Sequence, residues 1–345
     1  MEFEYSRVYK KLLVVSALVL LIAIGIIFFT IQTTGDFVHK GVSLSGGVSA
    51  SATFSEQVDT SQLEALLREE YPQADFAVRT LQVRDGFGYV VEASAIAEDE
   101  QEAARMLEAY LENTYPVTTI TVETTGPALG DAFFIQTKLG ILLAFLWMGW
   151  VVFLYFGRQL WLKFFLALVA LLATGGVTSG TLSGNMGLAI LFAVVLACMI
   201  LYLFISVPSG AIILAAASTI LFTLAVINLL EVRLSTAGVA AFLMIIGYSV
   251  DTDILLSTRV LRAGTTDQSI EQRLWSAFET GMTMQVTTTV AVLTAFIFAT
   301  NEVVSQIMLI LLIGLVGDVL FTWFQNAGIV YWYVHRMRAK GVRVA

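Results

Sequence analysis

The stretch AFLMIIGYSVDTDILLSTRVLR, residues 241–262, joins an apolar run long enough to cross a membrane to two acids, Asp251 and Asp253, and to the basic Arg259. A charged side chain near the centre of a spanning helix costs about 2.5 to 3.5 kcal/mol on insertion scales. An ionisable residue that is present in a spanning helix despite this free-energy cost indicates a functional site. The stretch therefore predicts a membrane protein with an acid inside its helical bundle.

The composition extends this prediction to the whole chain. Its 345 residues are 57% hydrophobic and 13% charged, with a mean hydropathy of +0.81, which is too apolar for a soluble domain. About 20 apolar residues cross the roughly 30 Å hydrocarbon core of a bilayer. Eight such segments are predicted, at residues 12–31, 134–156, 161–182, 186–205, 209–230, 236–257, 278–300 and 304–333.

Charge divides the chain into two parts. Residues 35–132 hold 17 acidic and 5 basic residues, a net charge of −12, whereas the remainder has a net charge of +4. Phosphate binding needs clustered Lys and Arg, so the acidic part is not expected to bind nucleic acid. Basic residues flank the apolar segments on one side, which predicts cytoplasmic termini and an extracytoplasmic acidic domain in the cell membrane. For residues 12–31 a cleaved signal peptide is the alternative, but the run is long and no clear small-residue cleavage site follows it.

Four regions follow: 1–34, a cytoplasmic N-terminus with the first span; 35–132, the extracytoplasmic domain; 133–334, the helical bundle; and 335–345, a basic cytoplasmic tail. Within the second region the hydrophobic period alternates between that of strands and that of helices. Strands are predicted at 43–54, 76–84, 87–95 and 117–123, with helices at 60–71 and 98–115 and with Asp59 and Asp99 as N-caps. The β-α-β-β-α-β order is typical of a ferredoxin-like α+β domain.

Helical geometry limits what the two acids of the opening stretch can do. Asp251 and Asp253 lie about 200° apart around the helix axis, so at most one can face a helix interface. Gly247 is on the same face as Asp251 and would let another helix approach closely, which makes Asp251 the leading candidate and Asp253 the second. Desolvation disfavours a charged carboxylate, so a buried acid can take up and release a proton. A proton relay through Asp251 and Asp318, an acid near the middle of the last span, is predicted.

Each of these residues also has a structural interpretation. Arg259 is a candidate for the relay, but it could equally extend its charge to the membrane surface or form an ion pair with Asp253. Asp251 and Asp318 could serve only as hydrogen-bonding groups between helices.

Enzymatic functions find little support. The two histidines, His39 and His335, are predicted on opposite sides of the membrane, so no metal site is expected. No Walker-type glycine loop is present, which argues against ATP as the energy source. We expect neither a cofactor nor catalysis.

Several motifs together resemble the archaeal SecF family of the protein-export machinery, within the resistance-nodulation-division group. The most specific is IGYSVDTDILLSTRVL. The leading motif, residues 41–47, contains Gly46 and Gly47 and is similar to the family's Gly-x-Asp-x-x-Gly-Gly. The trailing motif, residues 125–130, contains Gly126 and Pro127 and is similar to its Val-Gly-Pro-x-x-Gly. The last span also looks like the archaeal form in the residues Asp318, Thr322, Trp323, Asn326, Ala327 and Gly328.

The resemblance implies a SecD partner, a position beside the SecY channel, and assistance to translocating polypeptides driven by the proton gradient. It also places Asp251 and Arg259 at positions linked to the proton path. Three departures stand out: residues 159–205 are an apparent extra hairpin beyond the usual six spans, Thr219 stands where many members have an acid, and Ser43 replaces the acid of the leading motif. A proton-driven transporter of small molecules or lipids is one alternative function, although a single-chain transporter should contain two copies of this unit. A non-transporting membrane scaffold is the other.

Overall fold

A computed structural model describes residues 5–81, 83, 86–94, 96–97, 99–261 and 269–339. Parts of six predicted features lie outside these residues: the start of the N-terminal segment, the end of the strand 76–84, the turn at Asp85, the end of the strand 87–95, the helix start at Glu98 and the tail beyond 339. The first helix, α1, runs from Tyr5 to Thr34 and is long and apolar enough to cross a membrane. It packs against later helices through Leu13, which occupies the space left by the missing side chain of Gly328.

The chain then forms a four-stranded antiparallel sheet with two helices. After the short helix α2 (Val42–Ser45) come β1 (Gly47–Phe54), α3 (Thr60–Glu70), β2 (Asp75–Leu81), β3 (Phe87–Ser94), α4 (Glu100–Thr114) and β4 (Val117–Thr125). The strand order is β2-β3-β1-β4. The predicted β-α-β-β-α-β order is confirmed, and β3 separates the two strands that α3 joins. We call residues 47–125 the sheet domain.

One predicted boundary of this domain is wrong. The first strand was expected from residue 43, but α2 occupies residues 42–45 and β1 begins at Gly47. Gly46 and Gly47 have φ values of 83° and 126°, which residues with side chains rarely adopt, so the backbone turns there before the strand starts. The two predicted N-caps are confirmed: Asp59 accepts from the Ser61 amide and Asp99 from the Gln101 amide.

The core of the sheet domain lies between one sheet face and the two helices. Alternate residues of β1 point into it, and its largest fully buried members include Phe54, Phe76, Tyr89, Leu63, Leu67, Leu107 and Leu111. Val90 and Glu92 of β3 are buried on the opposite face, although no helix of the domain covers that face. Gly41, just before α2, lies against Glu92 on that face, and Arg233 and Glu302, at the starts of two membrane helices, lie beside Glu92 and its partner Arg79.

Seven further helices long and apolar enough to cross a membrane follow, which gives eight in the described part of the chain, the number predicted. They are α5 (Pro127–Phe156), α6 (Leu160–Thr178), α7 (Gly184–Ile205), α8 (Val207–Leu229), α9 (Thr236–Leu261), α10 (Ile270–Phe298) and the last span, Glu302–Ala339. The last span consists of α11 (Glu302–Leu320), a π-helical turn (Phe321–Asn326) and α12 (Ala327–Ala339).

Helices α8 and α9 form the buried centre of the bundle, and α11 packs against α8, α9 and α10. Two glycines allow these close contacts. A Cβ at Gly314 would overlap the side chain of Ile245 on α9, and a Cβ at Gly317 would lie 2.7 Å from Phe222 on α8. Small residues at helix contacts of this kind let backbones approach in membranes. They bring Asp318, one residue beyond Gly317, against α9.

The leading and trailing motifs pack against each other where the sheet domain joins the membrane helices. A Cβ at Gly46 would lie 2.6 Å from Pro127, and one at Gly130 would lie 2.7 Å from the backbone nitrogen of Gly46. Ser43 accepts a hydrogen bond from the amide of Thr236, the first residue of α9, at 3.1 Å. The side of the bundle that carries the sheet domain is called the sheet side below.

Candidate functional site

Two acids lie buried between α9 and the last span. Asp253 is completely buried and Asp318 is 1% exposed. Thr252, the chain neighbour of Asp253, donates a hydrogen bond to Asp318 at 3.4 Å, so the two acids lie close to each other. Each acid belongs to a buried polar stripe with four-residue spacing, which places its members on one helix face. The stripes are Ser249, Asp253 and Ser257 on α9, and Asp318, Thr322 and Asn326 on the last span. The bundle thus keeps a polar seam in its apolar interior.

Hydrogen bonds join the two stripes around the acids. The Asn326 amide nitrogen Nδ2 donates to Asp253 Oδ1 at 2.8 Å. Thr322 and Thr252 donate to the two oxygens of Asp318, at 3.2 and 3.4 Å. Asp253 Oδ2 is buried without a hydrogen-bond partner among the described residues. A buried carboxylate oxygen without a donor is costly when charged, so this seam is suited to an acid that changes its protonation state.

The π-helical turn supplies the last span's part of the seam. It begins directly after Leu320 and contains both Thr322 and Asn326. Its Gln325 donates to Ser218 on α8 at 3.2 Å, so the turn touches a second helix as well. Single π turns inside α-helices occur frequently at functional sites.

A small cavity borders Asp318 on the sheet side of the acids. Its volume is about 90 Å³, and its lining includes Met244 and Tyr248 of α9 and Thr288 of α10. On the opposite side of the acids, an apolar cluster closes the bundle; its members include Leu256, Val260, Leu274, Ala277 and Trp323. The acid pair thus has a small cavity on its sheet side and a closely packed apolar cluster on its other side.

The structure contradicts the expected burial of Asp251. Its side chain is exposed on the surface of α9, and Asp253 is the acid that enters the helix interface. The physical reason is the 200° separation of the two residues, which allowed only one of them inside. Gly247 shares the exposed stripe with Asp251, and a Cβ there would meet no atom within 4 Å. The expected close helix contact at Gly247 is therefore absent within the described chain.

Arg259 lies away from the acid pair. Its Nη1 donates to the Ser276 carbonyl at 2.7 Å, to the Ser276 hydroxyl at 3.1 Å and to Thr280 at 2.8 Å. These bonds fasten α9 to α10 near the end of the bundle opposite the sheet domain. Thr219, at the position where an acid was expected, is completely buried and donates to the Ala215 carbonyl.

Comparisons with known proteins agree with this architecture. Residues 173–336 match the family model for the protein export membrane protein SecD/SecF, C-terminal. The chain is 30% identical to the protein-export membrane protein SecF of Methanothermobacter thermautotrophicus over 336 residues, covering 94% of this chain and 93% of the relative. It is 29% identical to SecF of Pyrococcus furiosus over 331 residues, covering 96% of this chain and 93% of the relative.

Among solved structures, the fold is similar to that of SecDF, a translocon-associated membrane protein from Thermus thermophilus. The TM-score is 0.63 at 17% sequence identity, covering 97% of this chain and 39% of SecDF. This chain thus spans about two fifths of the length of SecDF. The identity over nearly the whole length of the archaeal relatives shows that the chain belongs to the SecF family of protein-export membrane proteins.

Proposed function

We propose that this protein is a SecF-type accessory subunit of the protein translocase, which assists export across the cytoplasmic membrane together with SecD and beside the SecY channel. The observation that carries the proposal is the buried acid pair, Asp253 and Asp318. It lies between two helices that begin beside the sheet domain, which is contacted by Arg233 just before α9 and by Glu302 at the start of α11. Uptake and release of a proton at this pair drives the work. The sheet domain contacts the emerging polypeptide.

The geometry of access supports a proton as the driving ion. Protons reach Asp318 through the cavity at Tyr248 and Thr288, from the sheet side. Passage to the other side requires the apolar cluster around Leu256 and Trp323 to open. An ion that crosses only when the bundle rearranges couples its movement to a conformational change.

The exposed stripe of α9 supports a SecD partner. Leu243, Gly247 and Asp251 are exposed along one stripe of α9, and a Cβ at Gly247 would meet no atom within 4 Å. A carboxylate facing lipid is costly, and a polar group on a neighbouring helix would reduce that cost. The bare Gly247 allows such a helix to approach. We assign this stripe to the contact with SecD.

Charge supports the orientation. Basic residues lie at the helix ends opposite the sheet domain, among them Arg158, Lys163, Arg259, Arg336 and Arg338. The positive-inside rule then places these ends and both termini in the cytoplasm. The regions 1–34, 35–132, 133–334 and 335–345 are accordingly the N-terminal span, the extracytoplasmic domain, the bundle and the basic tail. Helices α6 and α7, within residues 159–205, are a peripheral addition to the bundle.

Two measurements test the proposal. Purification of the tagged chain from its native membrane should recover SecD and SecY. In cells that lack the native copy, export of a reporter protein should depend on the imposed proton gradient, and Asp253→Asn should remove that dependence. Gradient-dependent export that persists unchanged in this variant would contradict the proposal.

A further inference from the structure

Five charged residues form a chain of alternating sign between the sheet domain and the bundle. In spatial order they are Asp75, Arg233, Glu92, Arg79 and Glu302. We call this set the charge chain. Asp75, Arg79 and Glu92 belong to β2 and β3, whereas Arg233 lies just before α9 and Glu302 is the first residue of α11.

The contacts of the charge chain are short at its two ends. Arg79 Nη2 lies 2.5 Å from Glu92 Oε1 and 2.6 Å from Glu302 Oε1. Arg233 Nη2 lies 2.7 Å from Asp75 Oδ2. The Ser51 hydroxyl donates to the second oxygen of Glu302 at 3.3 Å, so β1 contributes as well.

The contact between Arg233 and Glu92 is open. Arg233 Nε lies 3.9 Å from Glu92 Oε2, which is beyond hydrogen-bond distance. Glu92 Oε2 and Arg79 Nε are both buried without hydrogen-bond partners among the described residues. The Glu92 side chain is only 4% exposed, so water contributes little there. A movement of about 1 Å would close the contact between Arg233 and Glu92, since the donor–acceptor distance of a hydrogen bond is roughly 2.7 to 3.2 Å.

The two bundle residues of the charge chain stand at the starts of the two helices that carry the acid pair, since Arg233 lies three residues before α9 and Glu302 is the first residue of α11. Asp253 lies about 26 Å along α9 from Thr236, and Asp318 lies about 24 Å along α11 from Glu302. A helix transmits a shift along its length because its backbone hydrogen bonds keep it rigid. Gln306 of α11 is hydrogen-bonded to the Arg233 carbonyl and to Ser235, so the starts of α9 and α11 are fastened together. A change in the spacing of the two helices at the acids then tilts Arg233 and Glu302 relative to each other about that point.

We propose that the charge chain couples the spacing of α9 and α11 to the position of the sheet domain. Asp75 and Arg79 of β2 each hold one bundle residue, Arg233 at 2.7 Å and Glu302 at 2.6 Å, and Glu92 of β3 lies between the two arginines. When the helix ends move, the β2–β3 pair moves with them. The five residues are positioning residues, because none contacts the acid pair. This inference rests on the proposed function, in which the acid pair moves the helices.

The experiment measures the distance between the sheet domain and the bundle. Cys198 is the chain's only cysteine, so Cys198→Ala gives a background in which two spin labels report one distance. Gln62→Cys on α3 and Thr181→Cys between α6 and α7 are exposed labelling positions. Asp253→Asn combined with Asp318→Asn imitates the uncharged acid pair. We expect this double change to shift the label distance by several ångströms in the full chain.

Glu302→Gln should abolish that shift, and Glu302→Asp, which keeps the charge, should retain it. Arg233→Gln should behave like Glu302→Gln. Glu123→Gln on β4, an exposed acid of the same domain outside the charge chain, is the matched control and should retain the shift. A shift that survives in both Glu302→Gln and Arg233→Gln would overturn the inference, because the covalent connections alone would then move the domain. Absence of any shift in the parent background would also overturn it.

Export separates failure of this inference from failure of the proposed function. If Asp253→Asn leaves gradient-dependent export intact, the proposed function fails. If Asp253→Asn abolishes gradient dependence but Glu302→Gln and Arg233→Gln do not, the coupling role alone fails. The coupling role requires that both charge-chain variants lose gradient stimulation while export without a gradient stays at the parent level.

Discussion

Asp253→Asn offers the sharpest test of the acid pair, because it removes a charge change and little else. The amide has nearly the shape of a carboxyl group, and its oxygen can still accept the 2.8 Å hydrogen bond from Asn326. The amide nitrogen takes the place of Oδ2, which has no partner among the described residues, so we expect the free energy of unfolding to change by no more than about 1 to 3 kcal/mol. Folding and membrane insertion should therefore be preserved.

The energy of the gradient decides how large the functional effect is. One proton that crosses 100 mV releases about 2.3 kcal/mol, and one pH unit adds about 1.4 kcal/mol. The sum is close to the roughly 2.5 to 3.5 kcal/mol cost of one charged carboxylate at the centre of a spanning helix. The energy released by one proton is thus enough to offset the cost of charging one carboxylate but not two. Asp253 and Asp318 should then act as one unit.

The assay is the export rate of a reporter protein into membrane vesicles, with and without an imposed proton gradient. Asp253→Asn and Asp318→Asn should each abolish stimulation by the gradient, and the double variant should be no worse than either single variant. Glu279→Gln, an exposed acid on α10, is the matched control and should keep full stimulation. Additive losses in the double variant, or normal stimulation in Asp253→Asn, would refute the reasoning.

Three further predictions concern the surface, the packing and the sheet domain. Asp251→Asn should weaken co-purification with SecD while changing the thermal stability of the purified chain by less than about 0.5 kcal/mol, because the side chain is exposed; equal recovery of SecD would argue against a contact there. Gly314→Ala should lower stability by about 1 to 3 kcal/mol, since its Cβ overlaps Ile245, whereas Gly247→Ala should not; equal melting temperatures would contradict this. Burial raises the pKa of Glu92 above its ordinary 4.5, with Arg79 opposing part of the shift, so the folded state holds its proton to higher pH than the unfolded state. The free energy of unfolding should therefore fall as the pH rises from 4.5 through the raised pKa, and Glu92→Gln should remove that fall in pH-dependent melting.

Much of the fold could be predicted because its signals are local. Apolar runs of about 20 residues identified all eight spans, and the alternation of strand and helix periods identified the β-α-β-β-α-β order. The start of β1 was missed because Ser43 to Ser45 alternate like a strand, whereas the two following glycines set where the strand begins. The charge chain could not be predicted, since it joins residues more than 200 positions apart whose contact depends on how the domain sits on the bundle.

The choice between Asp251 and Asp253 shows where sequence reasoning about membrane helices is weakest. In a soluble helix the polar face marks the outside, but in a bilayer both the lipid-facing and the buried faces are apolar. Gly247 pointed to the face of Asp251, and that face is exposed. A better signal was present: Ser249 and Ser257 flank Asp253 at four-residue spacing. Polar residues repeated on one face of a spanning helix indicate a buried polar seam, because lipid offers them no partners.

The same spacing in the last span explains why a π-helical turn lies there. Four residues of an α-helix rotate by about 400°, so Asp318, Thr322 and Asn326 would drift by about 40° at each step. A turn closed by i→i+5 bonds is wider and rotates less per residue, which keeps these side chains closer to one line. Five of its six residues are buried, and its Gln325 is held by Ser218. The wider turn thus keeps Asn326 on Asp253 while Thr322 stays on Asp318, so the same short segment reaches both acids.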